Sequence, residues 1–444
     1  MDQLLPDYHV SAATWFYLSL LLIVAVFFRF NRVWSVRNLD LALLLSMSPG
    51  VLLVQEGHRF GYAWLFAASG LVLCRLFADQ FFERRPRLPQ NLNRAGMTFL
   101  AIAALAFLVT RVVTETPSAS SVQIVRQGEQ ILNREAPPDE ARGEGGPASS
   151  LIAASIHPFT QVVAQGNGDA AAKLAAEPIA ARLLAIFAHF AVIGGLVLLG
   201  RRHFQDTGVG LAMGTLYVLL PCTAYNVHEV NHVLPAAFLV WAFVAYRQPL
   251  VAGCLMALAC GTLFFPIFLV PLWLAFYGRK GAVRFGLALC GMGAVLVGSF
   301  ALTAVDGNSF AQQWSDSIDW GLLSFRGNSA AGFWNAANEA YRIPVFVAFL
   351  LAAFGLTVFP LRKNLEHLLA HSAALIVGTQ FWYPNQSGAY ILWYLPLLLL
   401  VVFRPRLENL RPPEYDSRRQ REHEQDRRVP QTASAMAGGR TVLR

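Results

Sequence analysis

The residues best placed to do chemistry gather in one short polar stretch, Asn226-Val227-His228-Glu229-Val230-Asn231-His232, enclosed by apolar runs on both sides. Glu229 is the first candidate catalytic residue, because a carboxylate within hydrogen-bond reach of a hydroxyl can take its proton as a general base. His228, Asn231 and His232 are the polar neighbours that would position a substrate. If that turn is helical, the two histidines fall one turn apart on one face. Two histidines and a carboxylate are also ligand types for a divalent metal. That is the one cofactor the pattern admits; no other cofactor is indicated, and the zinc-protease motif is not read from it. A polar loop at a membrane boundary, with no chemistry, is the plain alternative.

A second candidate catalytic carboxylate is Glu115, beside Arg111 at the end of an apolar run. Its alternative is a boundary ion pair of little energetic worth. A third group lies in a Trp-, Asn- and Ser-rich stretch, residues 306–342, where Asp316, Asp319 and Arg326 accompany Trp314, Trp320 and Trp334. Trp320 and Arg326 are candidate binding residues, since an aromatic face can hold a ring and a guanidinium an anion. Tryptophan also collects at membrane interfaces without any ligand. Tyr383, with Asn385 and Gln386, forms a further polar edge and candidate binding point; Glu56 and His58 form a weaker one. His189 and His371 sit in or near apolar runs and read as hydrogen-bonded packing residues.

The elements that must position these groups are membrane helices. A chain of 444 residues that is 55% hydrophobic and only 14% charged is not an ordinary soluble protein. Apolar runs of span length recur at residues 11–28, 39–54, 61–77, 97–113, 181–199, 209–224, 233–246, 285–305, 343–361, 368–381 and 391–403. A further run after Arg247 is broken at Gly261-Thr262 and Pro266. It is too long for one crossing of about 20 residues and reads as a hairpin of two short helices. The sequence therefore predicts an all-α polytopic integral membrane protein with roughly thirteen transmembrane helices. The formal charge of +8 does not point to nucleic acid, because most basic residues stand between the spans as topology signals. The amino terminus has Asp2 and Asp7 and no basic residue before the first span, so that span reads as retained. The five cysteines fall in or beside apolar runs and read as packing residues.

With the amino terminus outside, the basic linkers near Arg29, Arg84, Arg201, Arg247, Arg279 and Arg362 all fall inside, as does the tail from Arg404. The polar stretch at 226–232, the loops 114–180 and 306–342, and Tyr383 then share the outer face. The flanks of the first loop, 122–132 and 151–163, read as short amphipathic helices on the membrane surface. Its middle, rich in Ser, Gly, Pro and Ala, reads as flexible, and most of the tail as disordered.

Leu220-Pro221-Cys222-Thr223-Ala224-Tyr225-Asn226, the run from His228 to His232, and Tyr246-Arg247-Gln248-Pro249 together resemble the GT-C membrane glycosyltransferases, most nearly glycosyltransferase family 87. Gly261-Thr262-Leu263-Phe264-Phe265-Pro266 and Tyr390-Ile391-Leu392-Trp393-Tyr394-Leu395-Pro396 extend the resemblance over residues 96–406. It implies a GT-C-like core at 96–403 with outer-face loops, a three-span amino-terminal extension at 1–95, and a charged cytoplasmic tail at 404–444. It also implies transfer of a hexose, mannose-like, from a polyprenyl-phosphate-linked sugar donor to a lipid or glycan acceptor on the outer face of a cytoplasmic membrane. The family's early Asp is replaced here by Pro117-Ser118-Ala119-Ser120-Ser121, with Glu115 just before, and its Asn-Asp by Asn231-His232. Two further readings stand beside it: a transporter or flippase of lipid-linked sugars, and a catalytically inactive scaffold of the same architecture. The expected partners are the sugar donor, its acceptor and membrane lipids, with no nucleic acid.

Overall fold

A computed structural model describes residues 12–82, 90–134, 145–164, 169–302, 332–336 and 339–413, with scattered positions between 304 and 325. Every regular element among them is helical. In chain order these are α1 (Ala12–Phe27), α2 (Val36–Gln55), α3 (Phe60–Phe77), α4 (Arg94–Thr114), α5 (Ala119–Asn133), α6 (Pro147–Ala164), α7 (Asp169–Arg202) and α8 (Thr207–Leu219). The remainder are α9 (Pro221–Tyr225), α10 (Val230–Val244), α11 (Pro249–Thr262), α12 (Val270–Gly298), α13 (Arg342–Val358), α14 (Leu365–Trp382) and α15 (Leu395–Phe403). Among the described residues, five helices are long and apolar enough to cross a membrane, and several shorter ones are predominantly apolar. The chain is a multi-pass, membrane-embedded helical protein.

Local chemistry sets the helix starts. Ser35, Asn93, Ser118, Asp206 and Asn364 each accept a backbone N–H of the following first turn, supplying partners the helix itself cannot. Proline sets two breaks. Leu220, preceding Pro221, is held extended at φ −61° and ψ 129°, so α8 stops at Leu219. The expected span at 209–224 is thus a helix, a kink and the one-and-a-half turns of α9. The last span is shortened in the same way: a 3₁₀ turn at Ile391–Trp393 precedes α15, which begins only at Leu395, with Pro396 in its first turn.

The broken run folds as the expected hairpin. α11 ends at Thr262, whose carbonyl accepts the Gly146 N–H at one end of the bundle. The chain turns through a 3₁₀ segment, Phe265–Leu269, and runs back until the Tyr277 hydroxyl donates to the Tyr246 carbonyl, 2.7 Å away, at the other end. α12 then breaks at Gly278, where φ is +63°, a conformation glycine adopts without a Cβ penalty, and the chain climbs again to Gly298.

α8, α10, α14 and α15 form the centre, with side chains buried around most of their circumference. α1, α4, the second half of α12 and α13 lie outside. They present Tyr17, Phe99, Leu287 and Phe354 outward, as a lipid-facing surface requires. One continuous core runs from Trp15 to Leu407, so the first three helices share it with the rest of the bundle. The two ends of the bundle differ. One carries Arg29, Arg32, Arg201, Arg202, Arg247 and Arg404 at helix termini; the other carries the polar stretch 226–232 and the ends of α4, α11 and α14. They are called the basic end and the loop end below.

α5 and α6, expected to lie on a membrane surface, are helices, but each buries a face in protein. The two cross so closely that a Cβ on Gly128 would come within 2.7 Å of the Ala154 backbone nitrogen. The middle of that loop (135–144), and the tail beyond 413, lie outside the described residues.

Candidate functional site

The two carboxylates picked from sequence both lie at the loop end although more than a hundred residues separate them. Glu115 sits just past the last turn of α4, where its carboxylate takes Arg111 Nε at 2.7 Å and Nη2 at 2.5 Å. Its second oxygen stands 3.6 Å from His228 Nε2, long for a hydrogen bond but within charge-pair range. Arg182 of α7 donates to the Glu115 carbonyl at 3.2 Å. Burial pushes the Glu115 carboxyl up, but His228 and Arg111 outweigh it and hold the group below the ordinary carboxylate range. Such a carboxylate gives up its proton readily and is correspondingly a weak base.

Glu229 lies one residue ahead of α10, and its Oε2 accepts the Ser120 hydroxyl at 3.1 Å. The serines at the start of α5 fasten the rest of the turn. The carbonyl of His228 accepts Ser118 Oγ at 3.1 Å and Ser121 Oγ at 2.5 Å, and the Val230 N–H donates to Ser121 Oγ at 3.3 Å. Pro117-Ser118-Ala119-Ser120-Ser121, which stands where the resemblance leads one to expect an Asp, is therefore the clamp that sets the position of Glu229.

Residues His228-Glu229-Val230-Asn231-His232 spell His-Glu-x-x-His in full, a pattern that binds zinc when one helix carries both histidines on one face. Here the helix does not carry both. Glu229 has φ −81° and ψ 74°, α10 begins only at Val230, and His228 belongs to the preceding turn. The rings accordingly diverge. His228 turns toward Glu115, while His232 lies edge-on to Tyr390 (ring centroids 4.9 Å apart) and Trp393 (6.0 Å). Among the described residues no three His, Cys, Asp or Glu side chains converge to hold a metal.

His232 and Tyr383 meet in an aromatic nest. Tyr390 stacks on Trp393 at 4.3 Å, Phe265 stacks on the same Trp393 at 4.2 Å, and Tyr383 stands perpendicular to Tyr390 and Trp393 at 5.2 and 5.3 Å. Asn231 lies in sequence between the nest and the carboxylates. It is 1% exposed, and neither its amide oxygen nor its nitrogen has a hydrogen-bond partner among the described residues. Gly145 lies against it, an added Cβ there falling 3.1 Å from Asn231 Oδ1, and Gly146 is held to Thr262 at 3.0 Å.

Trp320 and Arg326, with Asp316 and Asp319, lie outside the described residues. Trp334 is described and is buried, its indole donating to the Phe381 carbonyl at 3.0 Å. Glu56 and His58 are exposed in the α2–α3 turn, whereas the neighbouring Gln55 reaches the Tyr225 carbonyl at 2.9 Å. His189 and His371 are hydrogen-bonded within the bundle, to Tyr217 and Val227 and to Leu356 respectively, as packing histidines are.

Two features escaped the sequence reading. Gln380, fully buried in α14, has no partner for either amide atom among the described residues; a lone amide inside an apolar run was the available signal. At the basic end, Arg75 bonds to Asp40 and Asp79, and Arg404 to Asp79 and Glu366, all buried except the partly exposed Glu366. That clasp joins α2, α3, α14 and the segment after α15, and beyond the i,i+4 spacing of Arg75 and Asp79 nothing in sequence order brings its members together.

No protein-family model, no curated protein and no solved structure matches the chain.

Proposed function

We propose that the chain is a membrane glycosyltransferase. It moves a hexose, mannose-like, from a polyprenyl-phosphate sugar to the hydroxyl of a lipid or glycan acceptor at the loop end. The single observation that carries this reading is that Glu115, Arg111 and His228 cluster at the loop end, where the same turn holds Glu229 on Ser120 and sends His232 against the stacked rings of Tyr390 and Trp393. Of the two carboxylates, Glu229 suits the base, because Glu115 is already committed to Arg111 and held acidic. The acceptor oxygen attacks the anomeric carbon from the face opposite the phosphate and loses its proton to Glu229. The bond from that carbon to the phosphate oxygen breaks, and polyprenyl phosphate leaves with the electron pair. Arg111 and Arg182 stand where they can meet the phosphate charge, and the aromatic rings where they can pack on a sugar face. The positive-inside distribution supports a loop end on the outer side of a cytoplasmic membrane, with the amino terminus outside and the tail in the cytoplasm.

The test is transfer from a panel of labelled polyprenyl-phosphate sugars in membranes expressing wild type, Glu229→Gln or Glu115→Gln. A general base contributes about 10²–10⁴-fold, so Glu229→Gln should reduce transfer by at least about a hundredfold while Glu115→Gln keeps most of it. Transfer unaffected by Glu229→Gln would remove Glu229 from the role. An inactive scaffold is favoured by one observation, the ion pair that occupies Glu115; it predicts no transfer from any donor and tolerance of both substitutions.

A further inference from the structure

The basic end contains a cavity of about 770 Å³, bounded by the α1–α2 turn, the starts of α2 and α8, and the end of α15. Its size is that of a small-molecule site. Among the described residues, Arg29, Arg32, Arg37 and Arg404 line it, against a single carboxylate, Asp206. Asp206 is already engaged, its Oδ1 accepting the Gly208 and Val209 N–H groups at 2.8 and 3.3 Å. The first turns of α2 and α8 both border the cavity, so two helix amino-terminal ends add their partial positive charge.

The wall is built rather than incidental. Asn38, 4% exposed, donates its amide to the carbonyls of Arg29, Arg32 and Val33 at 3.0, 3.1 and 3.1 Å, and accepts the Arg29 N–H at 2.9 Å. One buried side chain thereby fixes the loop that carries two of the arginines. Arg404, 7% exposed, uses its terminal nitrogens on Asp79 and Glu366, but its Nε finds no acceptor among the described residues. Gln90 Nε2, also buried and lining the cavity, finds none either. Two buried donors in a cationic cavity call for an acceptor-rich anion.

The rim identifies the kind of anion. Trp34 is 99% exposed, Phe30 62% and Val33 54%, all on the turn that bounds the cavity. Apolar side chains standing free beside a cationic cavity, at the end of a membrane bundle, match an amphiphile with an anionic head and acyl tails. We propose that this cavity binds the phosphate head of an anionic membrane lipid, at a site separate from the one at the loop end.

The test uses the full chain purified in a neutral detergent, with native mass spectrometry following phosphatidylglycerol against phosphatidylcholine. Phosphatidylglycerol should be retained in preference, and added salt should weaken it. Arg32→Gln, at an exposed position, and Gln90→Leu, which breaks no hydrogen bond, should each weaken it by about tenfold with the melting profile unchanged. Excess inorganic phosphate should leave the lipid bound. Equal retention of the two lipids, or phosphatidylglycerol binding untouched by both substitutions, would overturn the proposal. Displacement by inorganic phosphate would reject a lipid and assign the cavity to a soluble anion.

Discussion

Replacing Arg75 with methionine should cost this protein about 3–5 kcal/mol of stability. Arg75 Nε and Nη2 reach the two oxygens of Asp40 at 2.6 and 3.0 Å, and Nη1 reaches Asp79 at 3.0 Å. The side chains are 5% exposed for Arg75, 2% for Asp40 and 4% for Asp79, so water screens little of the interaction. Three hydrogen bonds to charged acceptors at about 1.5–3 kcal/mol each would sum to about 5–9 kcal/mol. The substitution also removes the cost of burying the guanidinium, which lowers the net toward the 3–5 kcal/mol of a broken buried pair. Asp40 loses its two-bonded guanidinium, whereas Asp79 keeps Arg404. Removing the charge that has lost this guanidinium should recover part of the loss, and Asp40→Asn with Arg75→Met should be more stable than Arg75→Met alone.

The protein supplies its own control. Arg126 and Glu177 pair at 2.9 Å, the same order of distance, but with the arginine side chain 55% exposed. Arg126→Met should cost no more than about 1 kcal/mol. The assay is unfolding of the purified chain in mixed micelles as a denaturing detergent is added, followed by tryptophan fluorescence with the three variants side by side. A loss for Arg75→Met no larger than that for Arg126→Met would refute the reasoning, because burial would then make no difference to the pair.

Two further outcomes follow from the loop end. The Glu115 carboxyl is held below its ordinary range, so the stabilisation it adds is fully present above that range and disappears as pH falls through its lowered value. Wild type should exceed Glu115→Gln in melting temperature near neutral pH, with the gap closing in acid; a gap independent of pH would exclude the ionised pair as its source. Asn231→Leu should raise stability by about 1–3 kcal/mol, since it removes a buried amide that has no partner among the described residues, and it should abolish sugar transfer. A stable variant that still transfers sugar would show that Asn231 holds no substrate.

What could be read from sequence and what could not divides along contact distance. The break at Gly261-Thr262 and Pro266 is legible because proline and glycine act on their own backbone, and the structure turns at that point. The stop of α8 at Leu219 was open to the same argument, Pro221 being in view; the apolar run simply continues past it, and apolarity does not report a kink. The basic-end clasp was not legible. Asp40 and Arg75 lie 35 residues apart and Asp79 and Arg404 lie 325 apart, and only the packing of four segments brings them together.

The polar stretch at 226–232 is the harder case. Spacing alone gives its two histidines a shared helical face, and that holds only if one helix runs through both. Whether it does depends on Ser118 and Ser121, which lie about a hundred residues earlier and take the His228 carbonyl that a continuing helix would use for itself. Their hydroxyls hold the chain in a turn, start α10 at Val230, and send His228 to Glu115 and His232 to the aromatic wall. A third serine at the start of α5, Ser120, holds Glu229. A stretch whose residue types admit a metal in isolation therefore becomes, once α5 clamps it, a carboxylate held by Ser120, with His228 turned to the Glu115–Arg111 ion pair and His232 to the stacked rings. The proposed sugar transfer rests on that arrangement.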